Sequence, residues 1–553
     1  MALNLAALFD ALARAVPERE AIVFRDRRIR YDELKARTDR LAAVLRAAGL
    51  RSPTPRGELR NWQSGQDHVA LYMYNGNEYP ESLLATLKAR GVPVNLNYRY
   101  VDAELLHVLR DADARVLIYH GCFADTVARL RDDLPSLTTL IQVDEGGGAP
   151  LLDGALDYEA AIAAAPETAV DADALSPDDL YMIYTGGTTG MPKGVLWRQG
   201  DFIPAMLGMK DETGRAIGDS AAIVAKARVN RPSRSLAAPP YMHGTGQLVS
   251  FIAWLHGNTV VLQDNVQHLD AAGLLAVAER EQVRTLSVVG DAFARVIAEE
   301  MERGDYDLSS LRLIVNGGAT FSPQVKERIM AIYPKVSIFD AFGSTESGPQ
   351  GVNVTSRGRT TETTFKLEKA GVALNADKTG PARPDDEAPG WFAARGHIPL
   401  GYLNDEAKTA ATFPVVAGVR HAVPGDRVRL REDGSMIFLG RDSVTINSGG
   451  EKIYAEEVEE AIKRHADVVD VIVSSRPSER FGREVVAIVE TRAGRRPGTD
   501  SLNAVAGERI ARYKQPKAYL FVDQVRRGQN GKADYRWAQA LAEGSLEAAG
   551  TVP

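Results

Sequence analysis

The chain has 553 residues, more than one compact core organises, so two or more domains are expected. Hydrophobic content of 44% and charged content of 25% are ordinary for a soluble globular protein. A net charge of −7, from 66 Lys+Arg against 73 Asp+Glu, argues against nucleic acid as a partner and against strong membrane binding. Cys122 is the only cysteine, which excludes an internal disulfide and a cysteine metal cluster and fits a reducing cytoplasm.

The start, MALNLAALFDALARAVPERE, lacks the basic leading region of a signal peptide, and Asp10 breaks its apolar part. Leu5, Leu8, Phe9 and Leu12 share one helical face, so an amphipathic surface helix is expected there. Residues 31–50 predict a helix with Leu34, Leu41 and Leu45 on one face and Gly49 near its C-terminal cap. Residues 51–66 read as an exposed loop, 68–74 as a strand, the segment after Asn75 as a helix and 92–97 as the next strand. No apolar stretch approaches the ~18–20 residues that span a bilayer, so no integral membrane segment is expected.

Residues 184–194 read YTGGTTGMPKG, which suits neither a helix nor a buried strand. Bare glycines let backbone N–H groups close around an anion, so a phosphate is the first candidate ligand. A Walker A loop requires Lys directly after a Gly and before a hydroxyl residue. Here Lys193 follows Pro192 and precedes Gly194, so a phosphate would be held in another way.

The helix–strand cycle then recurs: 259–263, a helical AAGLLAVAEREQ, 285–290, another helical stretch, and 311–318. Such alternation predicts a largely parallel, buried sheet with helices on both faces, where ligands sit beyond the carboxyl ends of the strands. From about 350 the chain turns rich in Thr, Gly, Pro and charge, which predicts a small β subdomain. Residues after 440 carry a helix and strands with a core of their own, and the boundary is placed near GRDSV (440–444). The expected class is mixed α/β: a large N-terminal domain over 1–440, of layered αβ subdomains plus the small β subdomain, and a small α+β C-terminal domain over 441–553.

The glycine-threonine stretch resembles the phosphate loop of the adenylate-forming superfamily, which includes acyl-CoA synthetases, peptide-synthetase adenylation domains and firefly-type luciferases. More pieces follow in that family's order. APPYMHGTG (238–246) is similar to its aromatic/His motif, NGGAT (316–320) and DAFGSTE (340–346) to its adenine and α-phosphate strands, and GYLNDEAKT (401–409) with VPGDRVRL (423–430) to its ribose region. GRDSVTINSGGEKIYAEEVEE (440–460) resembles its interdomain hinge and thiol-binding loop, and NGKADYR (530–536) its C-terminal lysine motif. The resemblance covers nearly the whole chain, and its wording is most similar to bacterial acyl-CoA synthetases for fatty and steroid-like acids.

The resemblance implies two half-reactions. A carboxylate attacks the α-phosphorus of ATP, giving acyl-AMP and pyrophosphate, and the thiol of CoA then takes the acyl group and releases AMP. It implies that Thr185, Gly186, Gly187, Thr188, Thr189 and Gly190 grip the departing phosphates, with Lys193 a cation nearby. Gly317, Gly318, Ala319, Asp340, Ala341, Phe342, Gly343 and Ser344 would surround the adenine, Phe342 by stacking. Thr345 would contact the α-phosphate and Glu346 would ligate Mg²⁺, a hard cation that prefers oxygen; read alone, Thr345-Glu346 is also a helix N-cap with a first-turn acid. Asp426 and Arg441 would hold the ribose, although a Pro-Gly-Asp sequence alone is a common turn. Lys532 would bridge carboxylate and α-phosphate during adenylation, delivered by a C-terminal domain that swings about a hinge at Ser443, where the family more often has Asp or Lys. The swing would then bring Ser448, Gly449, Gly450 and Lys452 to the site for thioester formation.

His243 has two readings: a gate between the acyl tunnel and the thiol channel, or a buried histidine capping a turn. No GxSxG elbow supports a Ser–His–Asp hydrolase, and nine scattered His with one Cys do not suggest zinc. Tyr241, His243, Ser287, Val289, Gly290, Gly317, Ala341 and Gly343 would line the acyl pocket. They are small, apolar or neutral and offer no Asp for an amino group, so a bulky hydrophobic acid is expected: fatty, steroid-like or terpenoid. Expected small-molecule partners are the acid, ATP and CoA, in a cytoplasmic enzyme for which a homodimer is one candidate assembly. Two alternatives stay open: an adenylating enzyme that passes its acyl group to a carrier protein or separate partner, and an inactive nucleotide-binding scaffold.

Overall fold

Short β-branched runs flanked by amphipathic helices place the chain among layered α/β proteins, and its computed structural model has that form. The structure describes residues 3–544 except 52, 169–170, 172, 186–190, 209–218, 320, 358–363, 368–369, 449–450, 479–480 and 529–530, and gives backbone alone at 364, 443, 447, 451, 452 and 482.

Two sheets carry the parallel pattern. In the larger, Glu20–Phe24, Thr259–Leu262, Arg234–Ala237, Thr285–Val288, Leu313–Gly317 and Ser337–Ser344 run parallel in that spatial order. The sheet continues beyond Ser337–Ser344 as antiparallel strands, from Gly348–Thr355 to the pair Asp426–Leu430 and Ser435–Arg441. This is the β-rich region that follows residue 350. In the second sheet, Val92–Asn95, His68–Tyr72, Ala114–His120, Thr139–Val143 and Leu156–Asp157 are all parallel.

Two expectations need correction. The first helix, Leu5–Ala15, is not a surface helix: Leu5, Ala6, Ala7, Leu8, Phe9, Leu12 and Ala13 are all buried. Asp10 is buried with them, because Lys88 Nζ lies 2.6 Å from its carboxylate and 2.5 Å from that of Asp39. The charge that seemed to mark solvent is one corner of a buried ion cluster. Second, the pattern before residue 330 is not parallel throughout: Leu180–Thr185 and Lys193–Arg198 form an antiparallel hairpin, with Gly401–Tyr402 as its third strand.

Sheet membership changes after Arg441. The following elements form a hairpin, Thr445–Ser448 with Glu451–Tyr454, and a separate three-stranded sheet of Val468–Ser478, Gly482–Thr491 and Ala518–Val522. Ile453, Val458, Ile462, Val471, Val473, Val485 and Val489 bury one another in a core of that region's own.

Candidate active site

Four parallel strands of the large sheet end on one rim. Arg234–Ala237 leads into the turn that carries His243, Thr285–Val288 into Val289-Gly290, Leu313–Gly317 into Gly318-Ala319, and Ser337–Ser344 into Thr345-Glu346. Register places Ser287 beside Val315 and Gly317 beside Ala341. Asn316 ties two of the turns together, accepting from the Gly290 N–H at 2.6 Å and donating to the Ala319 carbonyl at 2.9 Å.

The threonine loop joins the two strands of the antiparallel hairpin, with Thr185 paired to Lys193 at its base. Gly186, Gly187, Thr188, Thr189 and Gly190 lie outside the described residues. The base is held from two sides. Asn95 bonds both the N–H and the carbonyl of Tyr184, at 2.8 and 3.1 Å, and the carbonyl of Met242 at 2.7 Å. Lys193 pairs with Asp405 at 2.6 Å, so its charge is already partnered by the 401–409 segment. Nothing in the residue type of Asn95 pointed to this role; it is the last residue of the strand Val92–Asn95, inside the predicted segment 92–97.

Thr345 and Glu346 sit in the turn between Ser337–Ser344 and Gly348–Thr355, and no helix follows, so the N-cap reading is set aside. Trp197 Nε1 donates to the Thr345 carbonyl at 2.9 Å, and the Tyr402 hydroxyl donates to Glu346 Oε1 at 2.9 Å. Trp197 was not expected at the site, and Tyr402 only as part of the ribose-region segment 401–409.

Asp426 and Arg441 face each other across paired strands, Arg441 Nε donating to Asp426 Oδ1 at 3.3 Å. Burial pushes the Asp426 carboxyl up against the pull of Arg441. Burial works against the Arg441 charge, but Asp426 and then Glu346 hold the guanidinium above its usual value. Ser443 lies in the single turn Asp442–Val444 that follows, and its side chain is outside the described residues. Ser448 pairs with Glu451, and Lys452 with Asn447, in the next hairpin; Gly449 and Gly450 are outside the described residues.

Lys532 reaches this site from the C-terminal region. Its loop is closed by Gly528 N–H donating to the Lys532 carbonyl at 2.7 Å and Gly531 N–H to the Gly528 carbonyl at 2.8 Å. Asp534 then caps the helix Tyr535–Ala542 through the Trp537 N–H at 3.0 Å. Gly531 has φ +72° and seats against the turn after Thr285–Val288, where a Cβ would lie 2.9 Å from the Val289 carbonyl oxygen. Burial pulls the Lys532 ammonium below the ordinary lysine range, and Arg441 adds to the drop. Glu346 and Asp426 hold it up. Lys532, Glu346, Asp426 and Arg441 thus form one electrostatic group drawn from distant parts of the sequence.

His243 precedes the helix Gly244–Leu255 but makes no side-chain cap bond, and its Nε2 is buried without a hydrogen-bond partner among the described residues. Burial lowers its pKa to about 4, helped by the charges of Lys532 and Arg99, so the ring is neutral at pH 7.

Three other expected side chains are engaged elsewhere. Tyr241 belongs to the core: its ring stacks on Tyr79 at 5.1 Å and its hydroxyl shares a hydrogen bond with Ser250 at 2.6 Å. Asp340 presents no open carboxylate to adenine, since Lys326 pairs with it and Asn316 donates to it at 2.8 Å. Phe342 packs among Phe365, Phe392 and Phe438 at 4.9–5.1 Å. Gly343 is constrained by the backbone of its own strand pair. A Cβ there would lie 2.0 Å from the Gly348 carbonyl oxygen, so glycine is needed for the close turn of the strand pair. At Gly317, by contrast, a Cβ would meet nothing within 4 Å.

The donor set fits Mg²⁺ held mainly by phosphate. No cluster of three or more His, Cys, Asp or Glu suited to a metal exists among the described residues. Glu346 offers one carboxylate beside the strand ends, which is how Mg²⁺ is commonly held, with substrate phosphates and water supplying the remaining oxygens.

Known proteins resemble this chain along nearly its whole length. The family model described as AMP-binding enzyme matches residues 9–397, and that of the AMP-binding enzyme C-terminal domain matches 457–532. The medium-chain acyl-CoA ligase Mig of Mycobacterium avium is 45% identical over 542 residues, covering 98% of each chain. A medium/long-chain-fatty-acid–CoA/3-oxocholest-4-en-26-oate–CoA ligase of Mycobacterium tuberculosis is 37% identical over 549 residues, covering 98% of this chain and 97% of that protein. Among solved structures, the anthranilate CoA ligase AuaEII with anthranoyl-AMP has a TM-score of 0.80 at 21% identity, covering 97% of both chains. ATP-bound MatB from Rhodopseudomonas palustris scores 0.79 at 22% identity, covering 99% of this chain and 100% of the other. At these identities the two structures speak to the fold.

Proposed function

The chain belongs to the AMP-binding enzyme family, and from that premise we propose that it activates a bulky hydrophobic carboxylic acid with ATP and transfers the acyl group to CoA. Fatty acids and steroid side-chain acids are the favoured substrate classes, because the full-length relatives carry those names. The observation that carries the reading is the Lys532 loop of the C-terminal region, seated by Gly531 against the turn after Thr285–Val288, where Arg441, Glu346 and Asp426 act on the lysine charge.

The chemistry follows from charge. A carboxylate and a triphosphate repel, and the α-phosphorus gains negative charge as the new bond forms. Asp426 accepts from the ribose hydroxyls while Arg441 steadies its carboxylate. Lys532 lies between the two anions and offsets their repulsion. Thr185 and the loop that follows it hold the departing pyrophosphate. Glu346 would hold Mg²⁺, which when bound would supply further neutralisation of that charge. The acyl chain lies along the rim formed by Ser287, Val289, Gly290, Gly317 and Ala341, with the neutral ring of His243 toward the thiol side.

We place the junction of the two domains at Asp442–Val444, where the chain leaves the large sheet, with Ser443 as pivot. Ser448, Gly449, Gly450 and Lys452 serve the thioester step after the swing. No helix among the described residues is long and apolar enough to cross a membrane. A cytoplasmic location and a homodimer complete the proposal; fractionation and light scattering check them.

The test is exchange of labelled pyrophosphate into ATP with a panel of medium-chain, long-chain and steroid side-chain acids, followed by product analysis with CoA. Acid-dependent exchange and an acyl-CoA product are expected. Exchange without CoA transfer would move the acceptor to a carrier protein, and no exchange with any acid would defeat the proposal.

A further inference from the structure

Glu346 is the one carboxylate assigned to the metal, and a single carboxylate grips a cation well only if it is aimed. Its Oε1 accepts from the Tyr402 hydroxyl at 2.9 Å. Tyr402 is itself fixed. It is 5% exposed, and it pairs with Val195 on the strand that leaves the threonine loop. Its N–H donates to Thr409 Oγ1 at 2.9 Å, and its ring packs on Phe413 at 5.9 Å. Gly401 before it admits no side chain, since a Cβ would lie 2.5 Å from the Thr409 methyl. The neighbouring residue of the turn is anchored from the same strand, Trp197 Nε1 holding the Thr345 carbonyl at 2.9 Å. The strand that closes the phosphate loop therefore also fixes the turn that bears the carboxylate.

We infer that Tyr402 is a positioning residue for Glu346: its phenol occupies Oε1 and turns Oε2 toward the magnesium of bound Mg·ATP. The inference rests on the assignment of Glu346 as the metal-binding carboxylate. Outer-shell hydrogen bonds of this kind commonly change metal affinity by ~10–100-fold when removed. Tyr402→Phe removes one oxygen and keeps the ring packing, so the loss should appear in metal binding.

The experiment titrates Mn²⁺ by electron paramagnetic resonance into enzyme saturated with α,β-methylene-ATP. Wild type, Tyr402→Phe, Glu346→Gln and the double variant are compared. Tyr402→Phe should weaken Mn²⁺ binding about 10-fold, Glu346→Gln at least as much, and the double variant no more than Glu346→Gln alone. In pyrophosphate exchange the same change should raise the Mg²⁺ requirement and leave the rate at saturating Mg²⁺ largely intact. If Glu346→Gln leaves Mn²⁺ affinity unchanged, the metal assignment itself fails. If Glu346→Gln weakens it and Tyr402→Phe does not, or if the two losses add, the positioning role fails. A second measurement does not depend on the variant folding: 3-fluorotyrosine at 402 in otherwise native enzyme should shift its ¹⁹F resonance when Mg²⁺ joins the nucleotide complex. A resonance indifferent to Mg²⁺ overturns the inference.

Discussion

Lys532 carries a charge into a place where charge is unfavourable. Burial and Arg441 lower its pKa, while Glu346 and Asp426 oppose the fall. The sign for activity follows. In the proposed role the ammonium serves adenylation, and its folded-state pKa is depressed, so acyl-AMP formation should decline as pH rises through a value below the ordinary lysine pKa of about 10.4. Thioester formation from supplied acyl-AMP should lack that alkaline limb. Lys532→Ala should lower acyl-AMP formation roughly 10²–10³-fold, the scale of losing one transition-state donor, and leave the second half-reaction much less affected. Stopped-flow measurement of the two half-reactions separates these outcomes. Two glycines make a second contrast. Gly343→Leu drives a side chain into the Gly348 backbone and should cost stability by about 1–3 kcal/mol, as overpacking does. Gly317→Leu enters open space and should instead shift preference toward narrower acids at little change in melting temperature. Selectivity that moved with Gly343 alone would reverse the assignment of the pocket wall.

Among the elements, the glycine-threonine hairpin depends on a residue whose side chain does three things at once. Asn95→Leu would leave the N–H and carbonyl of Tyr184 and the carbonyl of Met242 without that partner. A loss of roughly 2–4 kcal/mol is expected in denaturant titrations, on the scale of two or more buried groups left unpaired. A higher KM for ATP should accompany it. A full-stability variant would mean that water replaces the amide. This hairpin also marks where the sequence was legible and where it was not. Strands with strong apolar runs, such as 68–74 and 259–263, were placed to within two residues, because burial on both faces writes itself into composition. Motif glycines and threonines read as a phosphate loop, a role that belongs to the proposal. The antiparallel sense of its flanking strands was not legible, since period and composition carry no direction. Asn95, Trp197 and Tyr402 were not singled out for a related reason: each acts through hydrogen bonds to residues far along the chain, and no local pattern encodes that. Gly343 shows the ambiguity of glycine, which reads the same whether it opens a pocket or lets two backbones touch.

On the scale of the whole molecule, the Lys532 loop is held near the strand ends by charge as well as contact. Lys463 lies 3.1 Å from Asp470 and 3.8 Å from Asp291 at the start of the helix Gly290–Arg303, while Arg527 grips Asp470 and donates to the Gly531 carbonyl at 3.3 Å. Lys463→Met should therefore slow acyl-AMP formation by about 3–10-fold, the range of a partly buried pair, with the thioester step unchanged. Equal slowing of both steps would show that the pair merely stabilises the fold. The seat of Gly531 sharpens the point. With its backbone against the Val289 carbonyl, the lysine loop has less than a methyl group's clearance to its dock. Gly531→Ala would act as a shim, propping the cap ajar and stranding the ammonium short of its target. The backbone strain at this left-handed position is felt in either orientation, so only a selective deficit in making the adenylate reports the wedge.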